Sequence, residues 1–254
     1  MLKRTAFFAY GLTCYAIFFG TFLYAIGFIG GFAVPTTLDG PRTRPLVQAI
    51  AVNAGLLALF AVQHSVMARR WFKERWTRIV PPALERSTYV LLSSLALILL
   101  FWLWQPLGGV VWSVDDPVGR TVLQSLFAFG FGLVLVSTFL INHFDLFGLR
   151  QVWLYLRGKP YTQLHFGTPG PYRLVRHPLY VGWFFAFWMT PVMTLAHLLF
   201  AVATTAYILI AIRFEERDLV REFGSSYEDY RQRVPMLIPF TKLSRRRKLV
   251  RAGV

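Results

Sequence analysis

The sequence predicts an all-α fold, a polytopic integral membrane bundle with five to six spanning helices. Hydrophobic residues make up 56% of the 254 residues and charged residues only 15%, whereas about 25% is usual in soluble domains. The mean hydropathy is +0.49. Several apolar segments reach the roughly 20 residues that a helix needs to cross a bilayer. These observations exclude an ordinary soluble domain.

Four apolar segments form the N-terminal part of the chain, residues 1–141. Gly30 and Gly31 end the first of them, and Pro81 with Pro82 precedes the third, as expected of residues that interrupt helices. The first segment is longer than the ~7–15 apolar residues of a signal peptide, so we expect it to be retained as a span. The predicted spans cover residues 5–29, 46–67, 87–104 and 120–141.

Two further apolar segments, at residues 179–191 and 194–212, follow a polar and aromatic segment at 142–176. The fifth apolar segment is short for a span of roughly 20 residues. We therefore expect the last two helices to form a hairpin that does not fully cross the membrane. A charged amphipathic tail is expected after Arg213, and a frayed basic stretch at 242–251.

The charge of the chain is strongly positive, because 27 Lys and Arg against 12 Asp and Glu give a net charge of +15. Such a balance suits nucleic acid. These cations flank apolar segments, however, where they hold cytoplasmic loops against anionic lipid. We therefore expect a lipid bilayer and no nucleic acid as partner, with both termini cytoplasmic. The single cysteine, Cys14, cannot form a disulfide framework or a thiolate metal cluster.

Ionisable side chains lie at the ends of two predicted spans. His64 is near the end of the second span, and Asn142, His143 and Asp145 follow the fourth. Ionisable groups at membrane depth are costly and mark functional sites. The alternative is that headgroups and water satisfy them at the interface. No two of the five histidines are four residues apart, so we expect no metal site.

One polar stretch, residues 170–182, directly precedes the fifth apolar segment. It contains Arg176 and His177 between aromatic residues, prolines and glycines. Glu215 and Glu216 follow the sixth apolar segment, and a hairpin would place them opposite the stretch. Such a pocket suits a ligand with both charges and a flat ring. The alternative is a solvated carboxylate pair bound to neighbouring arginines.

Four motifs occupy the last third of the chain. They are His-Phe-Gly-Thr-Pro-Gly-Pro-Tyr from residue 165, Arg-His-Pro-Leu-Tyr-Val-Gly-Trp from residue 176, the glutamate pair at 215, and Phe-Gly-x-x-Tyr-x-x-Tyr from residue 223. In order and spacing the chain resembles the isoprenylcysteine carboxyl methyltransferase and phospholipid methyltransferase superfamily of integral membrane enzymes. The resemblance implies one methyltransferase domain over residues 1–254, with a cytoplasmic pocket for S-adenosyl-L-methionine in residues 142–240. The residues that it assigns to cofactor binding are His165, Gly170, Tyr172, Arg173, Arg176, His177, Pro178, Tyr180, Gly182, Glu215, Glu216, Tyr227 and Tyr230.

Three N-terminal motifs, beginning at Gln63, Pro81 and His143, extend the resemblance to nearly the whole chain. They are similar to those of a bacterial branch that methylates a small thiol. This implies methanethiol as substrate, dimethyl sulfide as product and the bacterial inner membrane as location. Part of the pattern is also similar to a membrane group associated with nitrite and nitric-oxide reduction. A non-enzymatic membrane protein, or a methyltransferase for a lipidic thiol or carboxylate, therefore stays open.

Direct in-line transfer of a methyl group to a thiolate is the reaction that the resemblance implies. The thiol must then lose its proton, since the thiolate is the nucleophile, and a neutral histidine is the usual base. His64 and His143 are the candidates, with Asp145 expected to orient one of them. The residues expected to contact the substrate are Ser87, Tyr89, Arg150 and Gln151.

Overall fold

A computed structural model describes residues 1–241 of the chain, so the basic stretch predicted at 242–251 lies outside the described residues. The described part is mostly helical. Its α-helices are α1 (Leu2–Gly30), α2 (Leu46–Ala68), α3 (Arg70–Trp76), α4 (Pro82–Leu103), α5 (Pro117–Ile141), α6 (His143–Leu146), α7 (Leu149–Leu156), α8 (Pro178–Trp188), α9 (Leu195–Phe223) and α10 (Ser225–Arg233). A 3₁₀ turn at Gly170–Arg173 precedes α8.

Five of these helices, α1, α2, α4, α5 and α9, are long and apolar enough to cross a membrane. They confirm the prediction of a helical, multi-pass membrane protein. Helix α8 has 11 residues and extends about 16 Å at 1.5 Å per residue, roughly half of a ~30 Å hydrocarbon core. The prediction that the sixth segment ends near residue 212 is wrong. No glycine or proline interrupts α9 before Gly224, so Glu215 and Glu216 lie on the helix itself.

Capping side chains set the helix boundaries that position the site. The Asp116 carboxylate accepts a hydrogen bond from the Gly119 N–H at 2.7 Å and starts α5. Asn142 ends α5 in the left-handed conformation, with a φ of 94°, which asparagine tolerates better than most residues. Its side-chain oxygen then accepts from the Asp145 N–H at 3.2 Å. The chain therefore turns sharply after α5 and directs His143 towards α1.

Two short strands correct the all-α prediction. Strand β1 (Val110–Ser113) pairs antiparallel with β2 (Val192–Thr194), which joins α8 to α9. Their four and three residues lie at or below the length of about 4–8 residues at which a sequence pattern identifies a strand. The pairing links the loop after α4 to the turn after α8.

A buried polar cluster around His197 lies at this same end of the bundle. The Thr194 hydroxyl donates to Asp39 at 2.5 Å, and the other Asp39 oxygen is 3.5 Å from His197 Nδ1. His197 Nε2 donates to the Phe187 carbonyl oxygen at 3.0 Å. These bonds fasten the loop between α1 and α2 to the start of α9. About 27 Å of helix separates His197 from Glu215 at 1.5 Å per residue, so this histidine lies far from the other candidate residues.

Helices α5 and α8 approach each other closely at two glycines. A Cβ atom added to Gly182 would lie 2.7 Å from the Gly130 carbonyl oxygen, and one added to Gly130 would lie 2.6 Å from the Ala186 nitrogen. Small residues permit such backbone contact between membrane helices. Helix α8 is too short to be held in place by crossing the bilayer. The contact with α5 holds it along its side instead.

We expect Gly130→Ala to destabilise the protein by about 1–3 kcal/mol, the usual cost of overpacking. Of the three atoms that its methyl group would meet, two belong to the backbone of α8 and the third is the Cβ of Phe185, so none can rotate away. Gly132→Ala is the matched control on the same helix, because a Cβ atom there meets nothing within 4 Å. Thermal unfolding in detergent measures both variants, and equal melting temperatures would contradict the close packing.

Candidate active site

The side chains predicted to be functional gather at one end of the bundle, where α2 and α9 end and α4 and α8 begin. Glu215 and Glu216 lie in the last three turns of α9, and His177 directly precedes α8. Helix α8 contacts α9, and the stretch before α8 faces the two carboxylates. The residues that the motifs predicted to lie together are therefore close in space, apart from the exceptions described below.

A buried ion pair joins these elements. Glu216 Oε1 accepts from Arg176 Nε at 2.7 Å and from His177 Nε2 at 3.0 Å, and all three side chains are at most 13% exposed. Arg176 Nη1 also donates to the carbonyl oxygens of Arg231 and Val234 at 3.0 and 2.8 Å. Glu216 Oε1 is thus engaged by Arg176 and His177, and the guanidinium of Arg176 is held by Glu216 and two backbone carbonyls.

The same region fastens the chain after α10 to the start of α8. The backbone N–H groups of Arg176 and His177 donate to the carbonyl oxygens of Pro235 and Met236 at 2.9 and 3.2 Å. The Tyr230 hydroxyl donates to a backbone carbonyl in the 3₁₀ turn at 2.6 Å, and burial raises its pKa to about 12, so it keeps the proton that it donates. We call this set of contacts around Arg176 and Glu216 the clamp.

The carboxylate of Glu215, next to the clamp, can accept further hydrogen bonds. Its Oε2 accepts a hydrogen bond from the Tyr180 hydroxyl at 2.8 Å, and within residues 1–241 it forms no ion pair. Burial, and then the negative charge of Glu215, raise the pKa of the nearby Tyr172 hydroxyl. An ionised carboxylate has about four lone-pair sites, so Glu215 can accept further hydrogen bonds from a ligand.

A buried hydroxyl without a partner lies close to the same carboxylates. The Tyr227 side chain is 2% exposed, and its hydroxyl has no hydrogen-bond partner among the described residues. Phe166 packs against Tyr227 and Tyr230, with ring centroids 5.8 and 5.5 Å apart. Buried polar groups are nearly always hydrogen-bonded. This hydroxyl, the aromatic rings and the carboxylate of Glu215 therefore fit a bound ligand with polar groups and a flat ring.

The remaining residues predicted to bind a cofactor have different surroundings. His165 and Arg173 are exposed. Gly170 adopts a φ of 52° and opens the 3₁₀ turn, and Pro178 occupies the first turn of α8. Gly182 packs against α5, away from the clamp. The structure thus brings together the tyrosines and glutamates but not Gly182.

His64 meets Tyr89 at the same end of the bundle. The Tyr89 hydroxyl is 3.0 Å from each ring nitrogen of His64. Ser93 Oγ lies 3.2 Å from His64 Nδ1. The pair of His64 with Tyr89 and the pair of Tyr180 with Glu215 therefore lie at the same end of the bundle.

His143 is enclosed by partners of its own. The Thr138 hydroxyl donates its one proton to the Leu135 carbonyl oxygen at 2.6 Å, so it accepts from His143 Nδ1–H at 2.8 Å. The Nε2 lone pair then accepts from the Tyr15 hydroxyl at 2.9 Å. Burial lowers the pKa of His143. This histidine is thus neutral, and both of its nitrogens are satisfied.

Asp145 forms an ion pair with Arg150 at 2.8 Å and accepts from the Tyr161 hydroxyl at 3.2 Å. Arg150 also donates to the backbone and side chain of Thr162. The expected contact between Asp145 and a candidate histidine is absent from the described residues. Instead, this pair holds the segment after α7 against the turn before it.

Two of the residues expected to contact the substrate are engaged in the turn between α6 and α7. Ser87 is fully buried and donates to the Gly148 carbonyl oxygen at 3.3 Å. Gln151 Nε2 donates to the Asp145 carbonyl oxygen at 3.1 Å. Of the four residues expected to contact the substrate, Tyr89 contacts a candidate base.

Three residues of the site were not predicted from the sequence. Tyr15 and Tyr207 carry hydroxyls inside otherwise apolar helices. The sequence could have identified them, because a buried tyrosine hydroxyl needs a hydrogen-bond partner. Arg86 lies over Tyr89, with 5.8 Å between its guanidinium carbon and the ring centroid. Arg86 belongs to the motif that begins at Pro81, but a cation at the start of a span is typical of a membrane anchor, so we assigned it no role from the sequence.

Known proteins match most of this chain. Residues 121–226 match the phospholipid methyltransferase family. The chain is 59% identical over 239 residues to methanethiol S-methyltransferase of Crocosphaera subtropica, covering 94% of each chain. It is 54% identical over 239 residues to methanethiol S-methyltransferase of Mycobacterium tuberculosis, covering 94% of this chain and 98% of the relative. Nurim of Homo sapiens is 32% identical over 190 residues, 70% of this chain and 71% of nurim. No solved structure matches the chain.

We expect Glu216→Ala to lower stability by about 3–5 kcal/mol, because it leaves Arg176 buried without a counter-charge. Glu215→Ala, one residue earlier, removes the hydrogen bond from Tyr180 and is expected to cost about 1 kcal/mol. Thermal unfolding of both variants without added ligand makes the comparison. A larger loss for Glu215→Ala would show that the clamp does not depend on Glu216.

Proposed function

The chain belongs to the methanethiol S-methyltransferase family of membrane methyltransferases, and on that premise we propose that it transfers a methyl group from S-adenosyl-L-methionine to methanethiol, giving dimethyl sulfide. This family confirms the resemblance read from the motifs. The observation that carries the proposed site is the placement of two side-chain pairs, Glu215 with Tyr180 and His64 with Tyr89, at one end of the bundle. The first pair suits the cofactor, and the second suits the thiol.

The cofactor side is formed by residues that retain binding capacity. Glu215 accepts hydrogen bonds from ribose hydroxyls, Tyr227 offers its unpartnered hydroxyl, and the exposed guanidinium of Arg173 pairs with the amino-acid carboxylate. When bound, S-adenosyl-L-methionine supplies an electrophilic methyl group on a sulfonium. The clamp residues Arg176 and Glu216 act as positioning residues, because their charged groups already bind each other.

The thiol side is formed by His64. A thiol must ionise to become a nucleophile, and a neutral imidazole accepts its proton. Both histidines have hydroxyl partners, Thr138 and Tyr15 at His143 and Ser93 and Tyr89 at His64. We favour His64, because the guanidinium of Arg86 lies over the ring of its partner Tyr89, and a cation favours the thiolate. Tyr89 orients the His64 ring. We assign no catalytic role to Asp145, whose partners are Arg150 and Tyr161.

The same proposal places the site at the cytoplasmic face of the bacterial inner membrane. Basic residues are dense at this end of the bundle, in α3, in the segment after α5 and in the last turns of α9, and basic loops remain on the cytoplasmic side. Helices α8 and α9 form a hairpin in this arrangement. Because α8 extends only about half of the hydrocarbon core, the hairpin crosses the membrane through α9 alone.

The direct test uses the purified full-length chain in detergent with labelled S-adenosyl-L-methionine and methanethiol. Labelled dimethyl sulfide in the headspace is the expected result. Cofactor binding without turnover of any small thiol would favour a lipidic thiol or carboxylate as acceptor. No cofactor binding would overturn both methyltransferase assignments.

We expect His64→Ala to reduce kcat by about 10²–10⁴-fold, the usual contribution of a general base, without changing cofactor affinity. The loss should shrink at high pH, where thiolate forms without a base. His143→Ala is the comparison, and its effect should appear in the melting temperature and be independent of pH. If the pH dependence changes in His143→Ala and not in His64→Ala, the assignment of the base is reversed.

We expect Glu215→Ala to weaken S-adenosyl-L-methionine binding by at least tenfold, because a charged hydrogen bond contributes about 1.5–3 kcal/mol. Glu228→Ala is the control, since this carboxylate is exposed on α10. Isothermal titration calorimetry of the cofactor measures both. Equal affinities in the two variants would remove Glu215 from the cofactor site.

A further inference from the structure

Arg86 is a half-buried cation that lacks an anionic partner. It lies in the second turn of α4, 5.8 Å from the ring centroid of Tyr89, and within residues 1–241 it forms neither an ion pair nor a side-chain hydrogen bond. By contrast, Arg69 is neutralised by Asp218, with 3.0 Å between Nη1 and Oδ2. Partly buried charges are normally paired, so Arg86 is available to an anion.

Arg86 is one of several charged groups near His64 and Tyr89. The charged and titratable groups that face this position are Arg69, Lys73, Glu85, Asp218, Glu222, Tyr161 and Tyr207. The Arg86 guanidinium lies over the Tyr89 ring, and the His64 ring packs against the same tyrosine, with 5.1 Å between the two ring centroids. The charge of Lys73 is offset by Glu85 and Glu222, and burial lowers its own pKa.

We propose that Arg86 binds the methyl-accepting thiol as a thiolate beside His64 and Tyr89, an inference that rests on the function proposed above. The methanethiol S–H proton passes to His64 and then to solvent. The sulfur electron pair forms a bond to the transferred methyl carbon while the bond from that carbon to the sulfonium sulfur breaks. The products are two neutral thioethers and one released proton.

A fixed cation is what this substrate requires. Even a cysteine thiol ionises only near pH ~8.5, so a simple alkanethiol is almost wholly protonated at neutral pH. An opposite charge within ~4–6 Å lowers such a pKa by about 1–3 units, and each unit increases the thiolate fraction tenfold. Arginine suits the role, because its guanidinium stays protonated in a desolvated site.

The position of Arg86 separates this role from binding of the cofactor carboxylate. The hydroxyls on the cofactor side, Tyr172 and Tyr227, interact with the charges of Glu215, Glu216 and Arg176. Arg86 lies instead over Tyr89, the partner of His64. The proposal therefore places its charge on the thiol side of the site.

The test compares Arg86→Gln with Arg70→Gln in the full-length protein. Arg70 has the same charge and is 93% exposed in a surface pair with Glu74. In Arg86→Gln, the acid limb of the pH profile of kcat/KM should move to higher pH by about one unit, which gives a roughly tenfold loss of kcat/KM at pH 7. The affinity of this variant for S-adenosyl-L-methionine should stay unchanged. Arg70→Gln should keep the wild-type pH profile. Proton release is the second readout: methanethiol added in weak buffer at pH 7 to wild type saturated with S-adenosylhomocysteine should release protons, and Arg86→Gln should release several-fold fewer.

Two further variants keep the inference testable if Arg86→Gln does not fold. Arg86→Lys should keep the acid limb, and Glu85→Gln should move it to lower pH, because that change removes a nearby negative charge. An unchanged acid limb in both Arg86→Gln and Glu85→Gln overturns the inference, as does a loss of cofactor affinity in Arg86→Gln with an unchanged profile. A wild-type protein that makes no dimethyl sulfide overturns the proposed function itself, whereas active wild type with unaltered variants overturns only the role of Arg86.

Discussion

The site depends on the buried ion pair between Arg176 and Glu216, because it fixes an element that the membrane does not hold. Helix α8 is too short to span, so its position comes from the glycine contact with α5 along its side and from the clamp at its start. Successive residues on an α-helix point about 100° apart. With Glu216 turned towards Arg176, Glu215 is turned towards Tyr180. One carboxylate of the pair therefore holds the start of α8, and its neighbour accepts a hydrogen bond from Tyr180.

Much of the fold and part of the site could be predicted from the sequence, for a physical reason. Apolar length identifies spans, because a helix must satisfy its own backbone in lipid. The stretch before α8 and the glutamate pair could be placed together from connectivity alone. The sequence could not predict which of Glu215 and Glu216 pairs with Arg176, since that depends on which side of α9 faces α8. The short β-strands were missed because they form through contacts between distant segments. The full length of α9 was missed because hydropathy falls after residue 212, whereas the helix continues until its first helix-breaking residue.

The two candidate histidines show why residue type alone did not identify the base. His64 and His143 occupy equivalent positions in the sequence, each at the end of a span. Each has hydroxyl partners, Thr138 and Tyr15 at His143 and Ser93 and Tyr89 at His64. What distinguishes His64 is Arg86, whose guanidinium lies over the ring of Tyr89. These partners come from other helices, so no local sequence pattern could identify them.

The size of the proposed substrate explains why charge should matter more than shape. Methanethiol has two heavy atoms, and the best small ligands gain about 1.5 kcal/mol per heavy atom. Contacts alone therefore supply about 3 kcal/mol, which corresponds to a dissociation constant in the millimolar range. A pocket shaped for so few atoms also discriminates weakly, since one methylene changes binding by about 1–3 kcal/mol. The thiolate carries a full charge that water and alcohols lack at neutral pH. A cation beside the acceptor site hence increases both the concentration of the nucleophile and its selection over other small molecules, through one electrostatic interaction.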